Sequence, residues 1–250
     1  MGGIFQGAVG DTTAVGTPAT ETIVSGNAEA YAVNNGSILV AADADAAAYS
    51  TYAYAYALAG EAVRQFVSAP EGSAFATIVN NGYATVTANA LASAYGSASA
   101  TASAYGLGQF VHGETGSAAI YNAGSVNVGA HAAAYASSYA FAAAYATGVW
   151  QTVDPLPVTF ENTGFVNVEA IAVASAASGT AFAEAYGYNG YGFGGGTLTA
   201  NIYNSTDAEI NVLASAVAAP YGTGYAWAHA SGIRLVNEAT TRVVGTVPNT

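Results

Sequence analysis

Reading every second residue from position 78 gives Ile78, Asn80, Gly82, Ala84, Val86, Ala88, Ala90, Ala92 and Ala94. The same alternation starts again at Ile120 (Asn122, Gly124, Val126, Val128, Ala130) and at Phe160 (Asn162, Gly164, Val166, Val168, Ala170). A strict period of two over this length predicts strands. Alanine favours helices, but a helix needs apolar positions at i, i+3, i+4 and i+7, and the pattern lacks them. Tyr52, Tyr54 and Tyr56 would be scattered around a helix, whereas a strand lines them up on one face.

The alternation is built into a repeat. An apolar residue, any residue, Asn, any residue and Gly recur at Ala32–Gly36, Ile78–Gly82, Ile120–Gly124 and Phe160–Gly164, with a degenerate copy at Ile202–Thr206. The asparagines are spaced by 46, 42, 40 and 42 residues. Each copy continues into a second alternating stretch, such as Ala98, Ala100, Ala102 and Ala104. A closing signature follows as Gly106-Leu-Gly-Gln109, Gly148-Val-Trp-Gln151 and Gly232-Ile-Arg-Leu235, and the chain opens with Gly3-Ile-Phe-Gln6. A fixed period of this size marks a repeat architecture. The expected fold is all-β, with about five units of ~42 residues forming a β-solenoid with an alanine-lined core. A sandwich-like array of long β-hairpins is the alternative. One repeat domain spans 1–250. Its parts are an N-terminal docking or capping segment (1–25), the repeats (26–232) and a C-terminal strand or docking segment (233–250).

The alanines share parity with Ile78, Val86, Val126, Val128, Val166 and Val168, so the alanine face is the buried one. Asn34, Asn80, Asn122, Asn162 and Asn204 lie on that face too. Stacked rungs let such asparagines bond one to the next as an internal ladder. The other reading is a plain Asn-Gly turn with a solvated side chain. The opposite face carries Tyr52, Tyr54, Tyr56, Tyr105, Tyr139, Phe141, Tyr145, Phe182, Tyr186, Tyr225 and Trp227. A patch of that size points to an interaction surface, with packing against a neighbouring sheet of the same subunit as the alternative.

Composition narrows the function. Only 7% of residues are charged, lysine is absent, and the formal net charge is −12. Three arginines cannot build the basic stripe that nucleic acid requires, and the charge disfavours anionic lipid. With no cysteine, cohesion rests on burial and backbone pairing. No apolar run reaches the roughly 18 residues of a membrane helix. An outer-membrane barrel is disfavoured by Ser99, Thr101, Ser103 and Glu184 on what would be its lipid face. The opening residues show no charged n-region or apolar h-region, so no signal peptide is read there, and a secreted or cell-surface location is expected from composition.

Catalytic chemistry finds no foothold. His112, His131 and His229 have no neighbouring ligand at metal spacing. Asp43 and Asp45 share an outer face and offer a weak Ca²⁺ contact, but they lack a calcium-loop spacing and read as surface charge. The Gly-rich run 187–196 has no following lysine, so it reads as a flexible, sticky insertion rather than a phosphate loop. No catalytic residue, cofactor or metal is expected.

Taken together, the Asn-Gly element, the alanine alternation and the closing Gly-apolar-x-Gln resemble the Ala-rich repeats of bacterial β-solenoid surface proteins, the haemagglutinin-like and autotransporter-passenger adhesins. The resemblance covers roughly residues 22–236. It implies a right-handed solenoid, a surface or secreted location and a structural or adhesive role. The chain is short for that class and shows no secretion domain. The function expected is therefore a non-enzymatic subunit of an extracellular filament or surface layer, assembling with itself head to tail. Either terminal segment is expected to dock on a neighbour. The alternative is a monomeric adhesin whose aromatic face grips glycan.

Overall fold

The computed structural model describes residues 4–9, 27–49, 51–154, 156–193, 197–237 and 240–245. These residues are all-β. Fourteen strands join a single sheet. They are β1 (Ile4–Val9), β2 (Ala28–Asn34), β3 (Ser37–Ala48), β4 (Tyr52–Ala59), β5 (Val63–Asn80), β6 (Tyr83–Ala94) and β7 (Ser97–Asn122). Then follow β8 (Ser125–Ala136), β9 (Tyr139–Asp154), β10 (Val158–Asn162), β11 (Phe165–Gly192), β12 (Thr197–Asn204), β13 (Glu209–Asn237) and β14 (Thr240–Gly245).

The sheet is nearly closed and barrel-like, and its pairings sort into four ladders. The first runs from β1 through 63–68, 107–112, 149–153 and 188–192 to 233–237. In the second, β2 stacks on 74–80, and 116–122, β10, β12 and β14 follow in turn. A third joins β3, β6, β8, 165–175 and 209–219. β4, 97–104, 139–146, 178–186 and 223–231 make the fourth. Beyond β1, paired residues lie from 39 (Tyr139 to Ser178) to 46 (Ala28 to Ala74) positions apart in the chain. Every described pair is parallel, which overturns the hairpin array: hairpin partners run antiparallel.

Strands buried on one face alternate, and these do. β4 buries Ala53, Ala55, Ala57 and Ala59 while presenting Tyr52, Tyr54 and Tyr56 outward. The third and fourth ladders share one alanine-rich core in which β3 packs on β4, and β4 on β6. With only methyl groups between them, those layers sit close. Where valines replace alanines the opposing backbone must yield. A Cβ on Gly148 would lie 2.7 Å from Val166 Cγ1 and 2.8 Å from Val168 Cγ2. A smaller cluster, with Val67, Val111, Val153, Ala76, Ala118 and Leu198, fills the space between the first and second ladders. The glycine of the Asn-x-Gly element has a different cause. A side chain on Gly124 would run into the carbonyl oxygen of Gly82 in the preceding copy.

One expectation is corrected. The Gly-rich run is no insertion over 187–192. Those residues continue β11 in register with 149–153, and Tyr188 is fully buried. Positions 194–196 lie outside the described residues. The described parts of the terminal segments pair within the chain: β1 lies on β5, 233–237 on β11, and β14 on β12. Residues 1–3, 10–25, 238–239 and 246–250 of those segments lie outside the described residues.

Candidate functional site

Second-ladder strands before β14 end on asparagine, and pairing in register stacks these side chains. Asn34 Nδ2 donates to Asn80 Oδ1 at 2.8 Å. Asn80 donates likewise to Asn122, Asn122 to Asn162 and Asn162 to Asn204, each at 2.7 Å. Asn80, Asn122 and Asn162 are fully buried. The ladder closes at one end where Asn204 Nδ2 donates to the Ala208 carbonyl at 3.0 Å, and at the other where Asn34 Oδ1 accepts from Gly36 N at 3.1 Å. All five sequence-derived asparagines thus meet in one column, including the degenerate Asn204. A buried amide must find a partner for both its donor and its acceptor, and a stack of identical amides supplies both.

A second buried ladder went unread in the sequence. The glutamine of the closing signature points inward in the first ladder, and Gln65, Gln109 and Gln151 are fully buried. Gln109 Nε2 donates to Gln65 Oε1 at 2.9 Å, and Gln151 Nε2 to Gln109 Oε1 at 2.8 Å. Gln65 and Gln109 also donate across the core to the carbonyls of Thr77 and Ala119, each at 2.9 Å. The next copy has Gly190 at this position, and Tyr188 fills the space, donating its hydroxyl to Gln151 Oε1 at 2.8 Å and stacking on Phe160 at 5.0 Å. Burial pushes the Tyr188 phenol pKa well above its ordinary value. The signal was available: Gln recurs at a fixed place on the buried parity of three copies.

The outer aromatic face is not uniform. Tyr52, Tyr54 and Tyr56 are 57%, 54% and 48% exposed, and Tyr139, Tyr225 and Trp227 are exposed as well. Tyr105, Phe141, Tyr145, Phe182 and Tyr186 are half-covered. Their cover comes partly from outer neighbours: Phe182 packs on Trp227 of its own column at 6.4 Å and on Phe141 and Tyr225 of the adjacent column at 5.8 and 5.6 Å. Arg234 lies over the Tyr186 ring at 5.2 Å. Burial raises the phenol pKa values of Tyr105, Tyr145 and Tyr186. Outer asparagines stack too, with Asn211 donating to Asn167 at 3.0 Å and Asn167 to Asn127 at 2.9 Å.

The histidines have separate neighbours. His112 Nδ1 lies 2.6 Å from Asp154, His131 Nε2 is 3.4 Å from Glu169, and His229 stacks on Trp227 at 5.7 Å. Among the described residues no group of three or more His, Cys, Asp and Glu side chains converges. Asp43 accepts a 2.7 Å bond from Asn89 on the outer face.

The two ends of the sheet differ. At the far end the inward alanines Ala226, Ala228 and Ala230 of β13 are exposed, and Ile210, Val212 and Ala214 are half-buried. One copy earlier, Ala181, Ala183 and Ala185 are all fully buried. Compared with known proteins, the chain matches no family model, no curated protein and no solved structure.

Proposed function

We propose that this chain is a structural subunit of an extracellular filament or surface layer. It winds as a solenoid of about five coils of ~42 residues and stacks head to tail on copies of itself. The observation that carries this reading is the open end. The last coil leaves one backbone edge of β13 unpaired among the described strands, and its inward apolar residues are half-covered or exposed. An unpaired edge templates another strand, and a heterologous contact that does not close gives an open fibre. The low charge and the internal amide ladders suit a long stack better than a reaction site. The resemblance to Ala-rich surface repeats agrees with the location proposed. Negative-stain microscopy and light scattering of the purified chain at neutral pH make the test. Filaments are expected, and a monodisperse monomer at high concentration would sink the idea.

A second reading, an adhesin that stacks sugars on its tyrosines, draws on the exposed row Tyr52, Tyr54 and Tyr56. Replacing all three with serine should abolish glycan binding and leave assembly intact. An unchanged glycan-array signal rules it out.

A further inference from the structure

Building on the head-to-tail reading, we infer that the edge formed by residues 188–192 and 197–204 is a seat for β1 and β2 of a second copy. In the single chain, residues 233–237 and 240–245 occupy that seat, and they leave it when a copy arrives.

The strand count is the first argument. Among the described residues the first and second ladders have six strands each, and the third and fourth have five. A copy stacked on the intact end would lay its β1 on 233–237 and its β2 on β14. Its β3 and β4 follow directly along the chain, so they would sit two strand positions above β13. A slot one strand thick, about 4.8 Å, would be left open in two ladders. If the incoming β1 and β2 instead take the places of 233–245, all four ladders continue without a gap. Incoming Ile38 and Val40 then pair with Ile210 and Val212, and incoming Tyr54 and Tyr56 extend the column of Tyr225 and Trp227.

The sequence of the seat's occupant is the second argument. Residues 233–245 depart from the repeat where β1 and β2 keep it. Leu235 stands beside Gly190 in the glutamine column, whereas β1 brings Gln6, in register with Gln65. β14 pairs Gly245 with Ile202, and two residues further along the sequence Val247 stands where the repeat has its Asn. β2, placed there in the repeat register, sets its Asn34 against Asn204.

Bond direction is the third. Every asparagine of the ladder donates toward the next copy along the chain and accepts from the one before. Asn204 ends this series with its Nδ2 turned to its own Ala208, and Asn34 begins it with Oδ1 on Gly36. A donor at one end and an acceptor at the other match head to tail without turning an amide. The exchange replaces one set of parallel backbone pairs by another and adds the pairing of β3 and β4 to β13. The assembled ladders therefore hold more strand pairs than the separate chains, which is what drives the exchange.

The chain has no cysteine, which makes disulfide tests clean. One variant, Asn201→Cys with Val244→Cys, crosslinks a register pair that holds 233–245 in place. A second, Val33→Cys with Tyr203→Cys, sets thiols side by side only between exchanged copies; both positions are on the outside, 38% and 43% exposed. Circular dichroism checks that each variant folds. The oxidised lock is expected to slow filament growth at least tenfold, with recovery on reduction, and the second variant to form intermolecular crosslinks along its filaments. A lock that grows at the wild-type rate, or filaments of the second variant that fail to crosslink, overturns the exchange and leaves head-to-tail assembly standing. Absence of any wild-type filament overturns both.

Discussion

Asn122→Ala tests the internal ladder at its centre. The Asn122 amide accepts from Asn80 Nδ2 at 2.7 Å and donates to Asn162 Oδ1 at 2.7 Å and to the Phe165 carbonyl at 3.2 Å. Truncation removes the donor to Asn162 Oδ1 and leaves Asn80 Nδ2 with only a long 3.4 Å contact to the Ser125 carbonyl. Both neighbours are fully buried, so water cannot substitute without opening the sheet. Each stranded group costs about 1–3 kcal/mol. With Asn80 partly compensated, the total comes to about 2–4 kcal/mol. For a chain of this length the melting temperature should fall by roughly 5–15 °C. The control is Asn89→Ala, which removes an exposed bond to Asp43 and should stay within about 0.5 kcal/mol. Thermal and denaturant unfolding of the two variants at equal protein concentration measure the difference. Equal, small effects would refute a structural role for the buried amides.

Tyr188→Phe removes the hydroxyl that caps Gln151 and should cost about 1–3 kcal/mol. The folded phenol pKa is raised, so its contribution is full below about pH 10, the unfolded value, and fades as pH rises further. The variant's melting temperature should therefore fall less steeply than that of the wild type above pH 10. Gly148→Val forces methyl groups onto Val166 and Val168 and should destabilise by at least about 1–3 kcal/mol, read by chemical denaturation. Subunits with a net charge of −12 repel one another, so raising salt from 20 to about 200 mM should speed filament growth; slower growth would show that attraction between charges drives it.

The inward alanines illustrate how far the sequence reaches. Their period of two has one backbone solution, and their shared parity with Val86, Val126 and Val166 names the inner face without any tertiary information. Asn80, Asn122 and Asn162 were legible as a candidate column because their spacing repeats. Their use was not, since a turn and a ladder have the same local sequence. Gln65, Gln109 and Gln151 carried the same kind of signal in a less conspicuous frame. Tyr188 carried none: its burial follows from the space that Gly190 leaves beneath Gln151, and that space exists only once the copies are stacked.

The sequence by itself determined that the alanine runs are strands, which face of them is inner and how the Asn-x-Gly elements are spaced, because alternation and spacing are properties of one chain read along its length. Tertiary structure alone decided that successive copies pair in parallel, that 187–192 belongs to the core, and that β1, 233–237 and β14 pair with strands of their own chain. Those outcomes depend on which edge meets which across some 40 residues or more, and residue order records no such meeting until the sheet has closed.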